Sequence, residues 1–188
     1  VFVDDLPVTI SLLDNPGGGF LVSGTNPMLT RSGEAAFADL TIRKAATGYT
    51  LLAGAPGMIS DTSTVFSISP GSAALLQFSV HPGDADVNEV IPAATVQVED
   101  NWGNIVTTGS RELTVRIEDN PGGGTLTGST KRSTVNGAAV FNDLQIDRAG
   151  NGYTLRAEAD VLQSVVSNPF TIRAAGSAVR LAFEVEPV

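Results

Sequence analysis

The residues best suited to chemistry in this sequence are oxygen donors spaced two apart in one short segment. Asp84, Asp86 and Asn88 spell D-x-D-x-N, the opening of a calcium-binding loop, because a hard cation prefers several oxygen ligands. Such a loop can contribute ligands at a domain junction, and Asp147 in a later loop is expected at the same end of the fold. Asp84, Asp86, Asn88 and Asp147 are therefore the candidate calcium ligands.

The rest of that loop departs from the calcium-binding pattern. Glu89 stands where an EF-hand loop has its glycine, and Thr95 stands where the bidentate glutamate would be. A solvated acidic loop without metal is the alternative, and this mismatch favours it. We therefore expect no cofactor to be required, with calcium at a domain junction as the one hypothesis left open.

The motifs that could support catalysis are incomplete. PGGG occurs at 16–19 and 121–124, but neither copy is followed by the Lys-Ser/Thr pair and helix of a phosphate-binding loop. His81 is the single histidine, and the chain has no cysteine. A Ser-His-Asp triad would depend on this one histidine, which we expect to face solvent. A histidine-rich zinc site is excluded within one chain, and we predict that the protein is not an enzyme.

Composition narrows the classes of partner. The 188 residues contain 11 basic and 20 acidic side chains, for a net charge of −9. Nucleic-acid binding needs clustered Lys and Arg, which the sequence lacks. It also lacks an apolar run of the roughly 18 residues that a membrane-spanning helix requires.

A long internal repeat organises the chain. DNPGGG at 14–19 returns at 119–124, an offset of 119 − 14 = 105, and GYTL at 48–51 returns at 152–155, an offset of 152 − 48 = 104. A period of this length matches a whole sandwich domain rather than a helical or propeller repeat. The frame predicts an incomplete repeat over 1–70 that lacks its first two strands, a complete repeat over 71–174, and the first strand of a further repeat over 175–188.

Alternating apolar and polar residues predict strands throughout the complete repeat. Examples are Leu76, Phe78 and Val80 in its first strand and Val96 with Val98 in its second. This period of two predicts an all-β fold of tandem immunoglobulin-like Greek-key β-sandwich domains. The GNGY segment before a late strand resembles a tyrosine corner, in which a buried tyrosine hydroxyl bonds to backbone upstream. We expect Tyr49 and Tyr153 to have this role.

The pattern VQVEDNWGNIV, LTVRIEDNPGGGTLTGST, NGAAVFNDLQIDRAGNGYTLRAEA resembles the bacterial Ig-like repeats of large surface proteins, akin to the invasin and intimin families. The resemblance covers essentially the whole chain, and its markers are turns and strand residues. It implies a β-sandwich that serves as a spacer, stalk or adhesive module at a prokaryotic cell surface or outside the cell. Neighbouring repeats or identical subunits are the implied partners, and a surface or glycan ligand is open.

Three functions are compatible with these observations. The first is a non-catalytic structural repeat of a stalk, adhesin or surface layer. The second is a ligand- or carbohydrate-binding module, which an aromatic platform would favour, but aromatic residues make up only 6% and most phenylalanines are in apolar phase. The third is a filament subunit that completes its first repeat with the strand at 181–185 of a neighbouring molecule. A structural repeat within a longer polypeptide is favoured over the filament subunit, because a shared first strand leaves the second strand unaccounted for.

Overall fold

The structure is a computed structural model that describes residues 4–22 and 24–176. Within these ranges every regular element is a β-strand, which confirms the all-β fold class with immunoglobulin-like β-sandwich units in tandem. One compact unit contains residues up to 71 together with 102–104, and the other contains 72–101 and the residues from 105 onwards. The strand predicted after 174 lies at 181–185, outside the described residues.

Eight strands are described in the first unit. They form the sheets β3-β1-β6-β7, β2-β4 and β5-β8, in which every pairing is antiparallel. The strand bounds are β1 (Pro7–Leu12), β2 (Leu21–Val22), β3 (Met28–Leu29), β4 (Thr41–Ile42), β5 (Ala46–Tyr49), β6 (Leu51–Gly54), β7 (Asp61–Thr62) and β8 (Phe66–Ile68).

Twelve strands are described in the second unit. They form the sheets β15-β11-β9, β14-β12-β18-β19, β10-β20-β17 and β13-β16, and only β10 and β20 pair in parallel. The strand bounds are β9 (Leu75–Val80), β10 (Ala85–Asp86), β11 (Ala94–Glu99), β12 (Glu112–Ile117), β13 (Leu126–Thr127), β14 (Lys131–Ser133), β15 (Ala138–Phe141), β16 (Gln145–Ile146), β17 (Gly150–Tyr153), β18 (Leu155–Glu158), β19 (Val165–Val166) and β20 (Phe170–Arg173).

The core of the second unit follows the alternation of the sequence, with one exception. Val96 and Val98 are at most 1% exposed, and Leu76 and Phe78 are at most 3% exposed. Val80 is 50% exposed, so its predicted place on the apolar face is wrong. The cause is a bulge in the β9–β11 pairing between Thr95 and Val96, which reverses the phase of the last residue of β9.

The two repeated motifs meet in one structure within each unit. Tyr153 is fully buried, and its hydroxyl donates to the Arg148 carbonyl over 2.9 Å. Tyr49 is equally buried and donates to the Lys44 carbonyl over 2.8 Å. These bonds confirm the predicted tyrosine corners, each tied to the backbone five residues upstream.

The glycine loop packs directly on this tyrosine. A Cβ on Gly122 would collide with the Tyr153 hydroxyl and the Ala149 carbonyl, and a Cβ on Gly17 would collide with the Tyr49 hydroxyl. Only glycine lets the loop backbone approach so closely. The second glycine of the loop has positive φ in both copies, 63° at Gly18 and 62° at Gly123.

Side chains that flank the glycines close the loop. The Asn120 side chain donates to the Gly124 carbonyl and accepts from the Gly124 amide, both at 2.8 Å. The Thr154 hydroxyl donates to the Asp119 carboxylate over 2.8 Å and accepts from the Asp119 amide over 3.0 Å. The same pairs recur as Asn15 with Gly19 and Asp14 with Thr50. We call this assembly of DNPGGG with GYT the tyrosine clamp.

We expect Tyr153→Phe to lower the free energy of unfolding of the second unit by about 1 kcal/mol, because the ring stays and one buried hydrogen bond is lost. Chemical denaturation followed by amide exchange of residues in each unit measures the effect. Tyr49→Phe is the matched control, since it removes the same bond from the first unit. Equal stability of Tyr153→Phe and the parent protein would contradict an energetic role for the clamp.

Candidate functional site

The first two candidate calcium ligands share an arginine. The Asp86 carboxylate accepts a hydrogen bond from Arg173 Nε over 2.9 Å, and Asp84 lies 3.6 Å from another guanidinium nitrogen of Arg173. Asp84 also accepts from the Thr171 amide over 2.8 Å. Both carboxylates therefore face a cation that the protein supplies itself, and both fasten the segment 84–86 to β20.

The other two candidates lie in different surroundings. Asn88 is exposed with φ of 63°, and its backbone amide donates to the Ile146 carbonyl over 3.0 Å. Asp147 accepts from the Thr125 amide over 2.6 Å. In the part of the chain that the structure describes, no group of three or more acidic or histidine side chains could hold a metal ion. A calcium site at these four residues stays the hypothesis that the sequence left open.

His81 is built into the second unit, so the expectation of a solvent-facing histidine is wrong. Its ring stacks on Phe78 with centroids 5.5 Å apart, and its Nδ1 accepts from the Asn168 amide over 2.9 Å. The residue is half-buried. Its acceptor nitrogen is therefore used to hold backbone.

Exposed aromatic residues occur in the first unit. Phe20 is 83% exposed and Trp102 is 48% exposed, so Phe20 is an exception to the apolar phase expected of most phenylalanines. The guanidinium of Arg43 lies 4.0 Å from the centre of the Trp102 ring, a cation–π contact that covers one ring face.

A charged ladder covers the outer face of β12 and β18. Arg116 and Arg156 lie directly opposite each other in the sheet, an arrangement of like charges that destabilises unless carboxylates intervene. Glu118 forms ion pairs with both arginines, and Glu158 lies 3.0 Å from Arg116. The hydrogen bond from Arg156, helped by the charges of both arginines, lowers the pKa of Glu118 from 4.5 to about 2.

A groove of about 910 Å³ borders this ladder in the second unit. Its lining includes Arg111, Glu112, Lys131 and Leu162, and none of its lining residues is aromatic. Flat sugar faces are commonly bound by aromatic rings, so this groove lacks the feature that would favour a carbohydrate site.

Comparison with known proteins places the chain beside other β-rich proteins at low similarity. No protein-family model and no curated protein matches the sequence. Among solved structures, a glycosyl hydrolase family 2 member from Bacteroides cellulosilyticus is 13% identical over 85% of this chain and 22% of its own length, with a TM-score of 0.46. This chain thus spans about a fifth of that enzyme.

Two further solved structures come from surface proteins. Domains 4–9 of the surface layer protein SbsC are 14% identical over 93% of this chain and 23% of that chain, with a TM-score of 0.41. The Escherichia coli adhesin FdeC is 20% identical over 91% of this chain and 54% of that chain, with a TM-score of 0.39. In the residues described here, no helix has the length and apolar character needed to cross a bilayer.

We expect the melting temperature to fall as the pH drops from about 4.5 to about 2, partly through Glu118. A carboxyl with a lowered folded-state pKa contributes stability above its unfolded pKa and loses it as the pH falls through the folded value. Glu118→Gln should therefore make the fall in melting temperature with pH shallower. Part of the fall should remain, because the hydrogen bond from the Ser129 hydroxyl also lowers the pKa of Asp143.

The matched control is Glu112→Gln, which removes a carboxylate from the exposed ion pair with Lys131. Thermal unfolding by circular dichroism between pH 2 and pH 7 gives the profiles. An identical pH profile for Glu118→Gln and the parent protein would show that the ladder does not contribute to folding.

We expect calcium to leave the melting temperature unchanged, because Asp84 and Asp86 are already paired with the guanidinium of Arg173. The measurement is thermal unfolding in excess calcium chloride against EDTA, with calorimetric titration in parallel. A ligand that binds the native state raises the melting temperature. A rise that disappears in Asp86→Asn would establish the calcium site and overturn this expectation.

Proposed function

We propose that the protein is a non-catalytic structural repeat of a large extracellular or cell-surface prokaryotic protein, in a stalk, adhesin or surface layer. The observation that carries the proposal is the duplicated tyrosine clamp. Asp119, Asn120, Gly122 and Tyr153, the most conspicuous motif residues of the sequence, all bond or pack within their own unit. The residues that the sequence repeats stabilise the fold of each unit and do not form a reactive site.

The charge and the ion pairs support the same role. A net charge of −9 keeps a chain of linked domains soluble by self-repulsion. The arginines and carboxylates on β12 and β18 neutralise one another within the sheet. Such a surface suits a spacer, because charged side chains on a sheet discourage association between units.

A ligand- or carbohydrate-binding module is the second candidate. Phe20 and Trp102 are the exposed aromatic residues that favour it, since stacking on a ring is a common way to bind a sugar or an apolar ligand. Arg43 covers one face of Trp102, which leaves Phe20 as the more open surface.

The proposal predicts that the native polypeptide is much larger than the 19.4 kDa of these residues and is reachable from outside the cell. An antibody raised against residues 72–174 should detect a band far above this mass, and protease treatment of intact cells should remove it. A cytoplasmic protein used as loading control must survive the same treatment. A protected band at 19.4 kDa would contradict the proposal.

A further inference from the structure

The inner face of the first unit is partly uncovered, whereas the same face of the second unit is closed. Residues aligned at offsets of 104 and 105 can be compared one by one. In the first unit they are only half-buried: Val8, Ile10, Phe37, Leu40, Ile42, Leu51, Phe66 and Ile68. In the second unit their counterparts are at most 4% exposed: Leu113, Val115, Phe141, Leu144, Ile146, Leu155, Phe170 and Ile172.

Two strands account for most of the cover in the second unit. β11 lies at the centre of the sheet β15-β11-β9 and brings in Val96 and Val98, while β9 brings in Leu76 and Phe78. Between these strands Ile91 is 1% exposed and its amide donates to the Leu144 carbonyl over 2.8 Å. Among the described residues of the first unit, no strand corresponds to β9, β10 or β11.

The backbone of the first unit shows the same deficit. β15 pairs with β11 over four residues, from Ala138 to Phe141, but the aligned residues 34–37 form no strand, and their described contact is a single bridge from Glu34 to Arg31. β20 lies between β10 and β17, whereas its counterpart β8 pairs with β5 alone among the described strands. Unpaired strand edges of this kind are templates for an added strand.

The start of β1 indicates where the cover comes from. The Leu6 amide donates to Thr30 Oγ1 over 3.0 Å and the Leu6 carbonyl accepts from the Thr30 amide. Arg111 makes the same two bonds with Thr134 at the start of β12. Leu6 at the start of β1 is therefore placed as Arg111 is at the start of β12, the strand that follows β11 in the second unit. A segment that leads into β1 as β11 leads into β12 would cover the inner face of the first unit.

We propose that the open inner face of the first unit binds a segment of the same repeat type as residues 72–101, with strands equivalent to β9, β10 and β11, and that this segment precedes β1 in the same polypeptide. Its recognition chemistry is that of β9 and β11: alternating apolar side chains directed onto the face, with backbone groups pairing along 34–37. The inference holds whatever role the repeat has. Its test measures folding and not cell-surface location, so the two proposals can fail separately.

The test is a fusion with a copy of residues 71–105 placed directly ahead of Val1. The offset of 106 − 1 = 105 brings the copy into frame. In the 188-residue protein, the amides of 35–37 and 66–68 should exchange with solvent fast. In the fusion they should exchange as slowly as those of 139–141 and 170–172. The second unit, present in both proteins, is the internal reference for correct folding.

Two control fusions distinguish docking from a general effect of added chain. Val96→Asp with Val98→Asp, made only in the added copy, places charges on the inner face and should abolish the protection. Thr95→Asp with Gln97→Asp in the copy places the same charges on the opposite face of the strand and should retain it. Fast exchange in the parent fusion, with the second unit protected as before, would overturn the proposal.

A second source of strands is distinguished by concentration. If the unmodified 188-residue protein gains protection at 35–37 and 66–68 only as it associates, measured by sedimentation velocity over a range of concentrations, the occupant is a second copy. That result would overturn the upstream source. Protection in a fusion that sediments as a monomer supports the upstream source.

Discussion

The contact between a buried tyrosine hydroxyl and a loop without side chains is the constraint on which both units depend. Tyr153 must reach the Arg148 carbonyl, and it can do so only because Gly122 offers no Cβ. The loop in turn needs Asn120 to hold its far end. Two stretches of sequence more than 30 residues apart are thereby fixed to each other, which sets how β12 and β18 meet.

The clamp is complete in both units, although the apolar core is covered in the second unit and partly uncovered in the first. Tyr49 is as fully buried as Tyr153, yet the apolar residues around it are mostly half-buried. The difference follows from which segments of the chain each interaction requires. The clamp joins segments that lie within 4–71, whereas the core also needs the face that β9 and β11 provide in the second unit. The clamp can therefore form without the closure of the sandwich.

The alternation in the sequence was enough to predict the strands, and the GNGY segment was enough to predict the tyrosine corner, because both are short-range patterns. The prediction failed where a bulge changes the phase of the alternation and where a residue binds a partner that is distant in the sequence. Val80 was misplaced because the bulge lies between Phe78 and Val80 on β9 and is defined only by the pairing with β11. His81 was misplaced because the Asn168 amide that it binds is 87 residues away. The acidic loop showed three oxygen donors, but not that Arg173 would pair with two of them.

The two units differ most on their outer faces, and this is where differences in role would arise. Arg116 and Arg156 lie opposite each other in the second unit, and the aligned pair in the first unit is Ser11 with Leu52. Removing an arginine pair and its bridging glutamates together leaves no uncompensated charge, so the change is tolerated. The inner face of the second unit has no such freedom, because its apolar residues are buried and closely packed. A repeat protein of this design can therefore vary its exposed surface from unit to unit while the clamp and the core pattern stay the same.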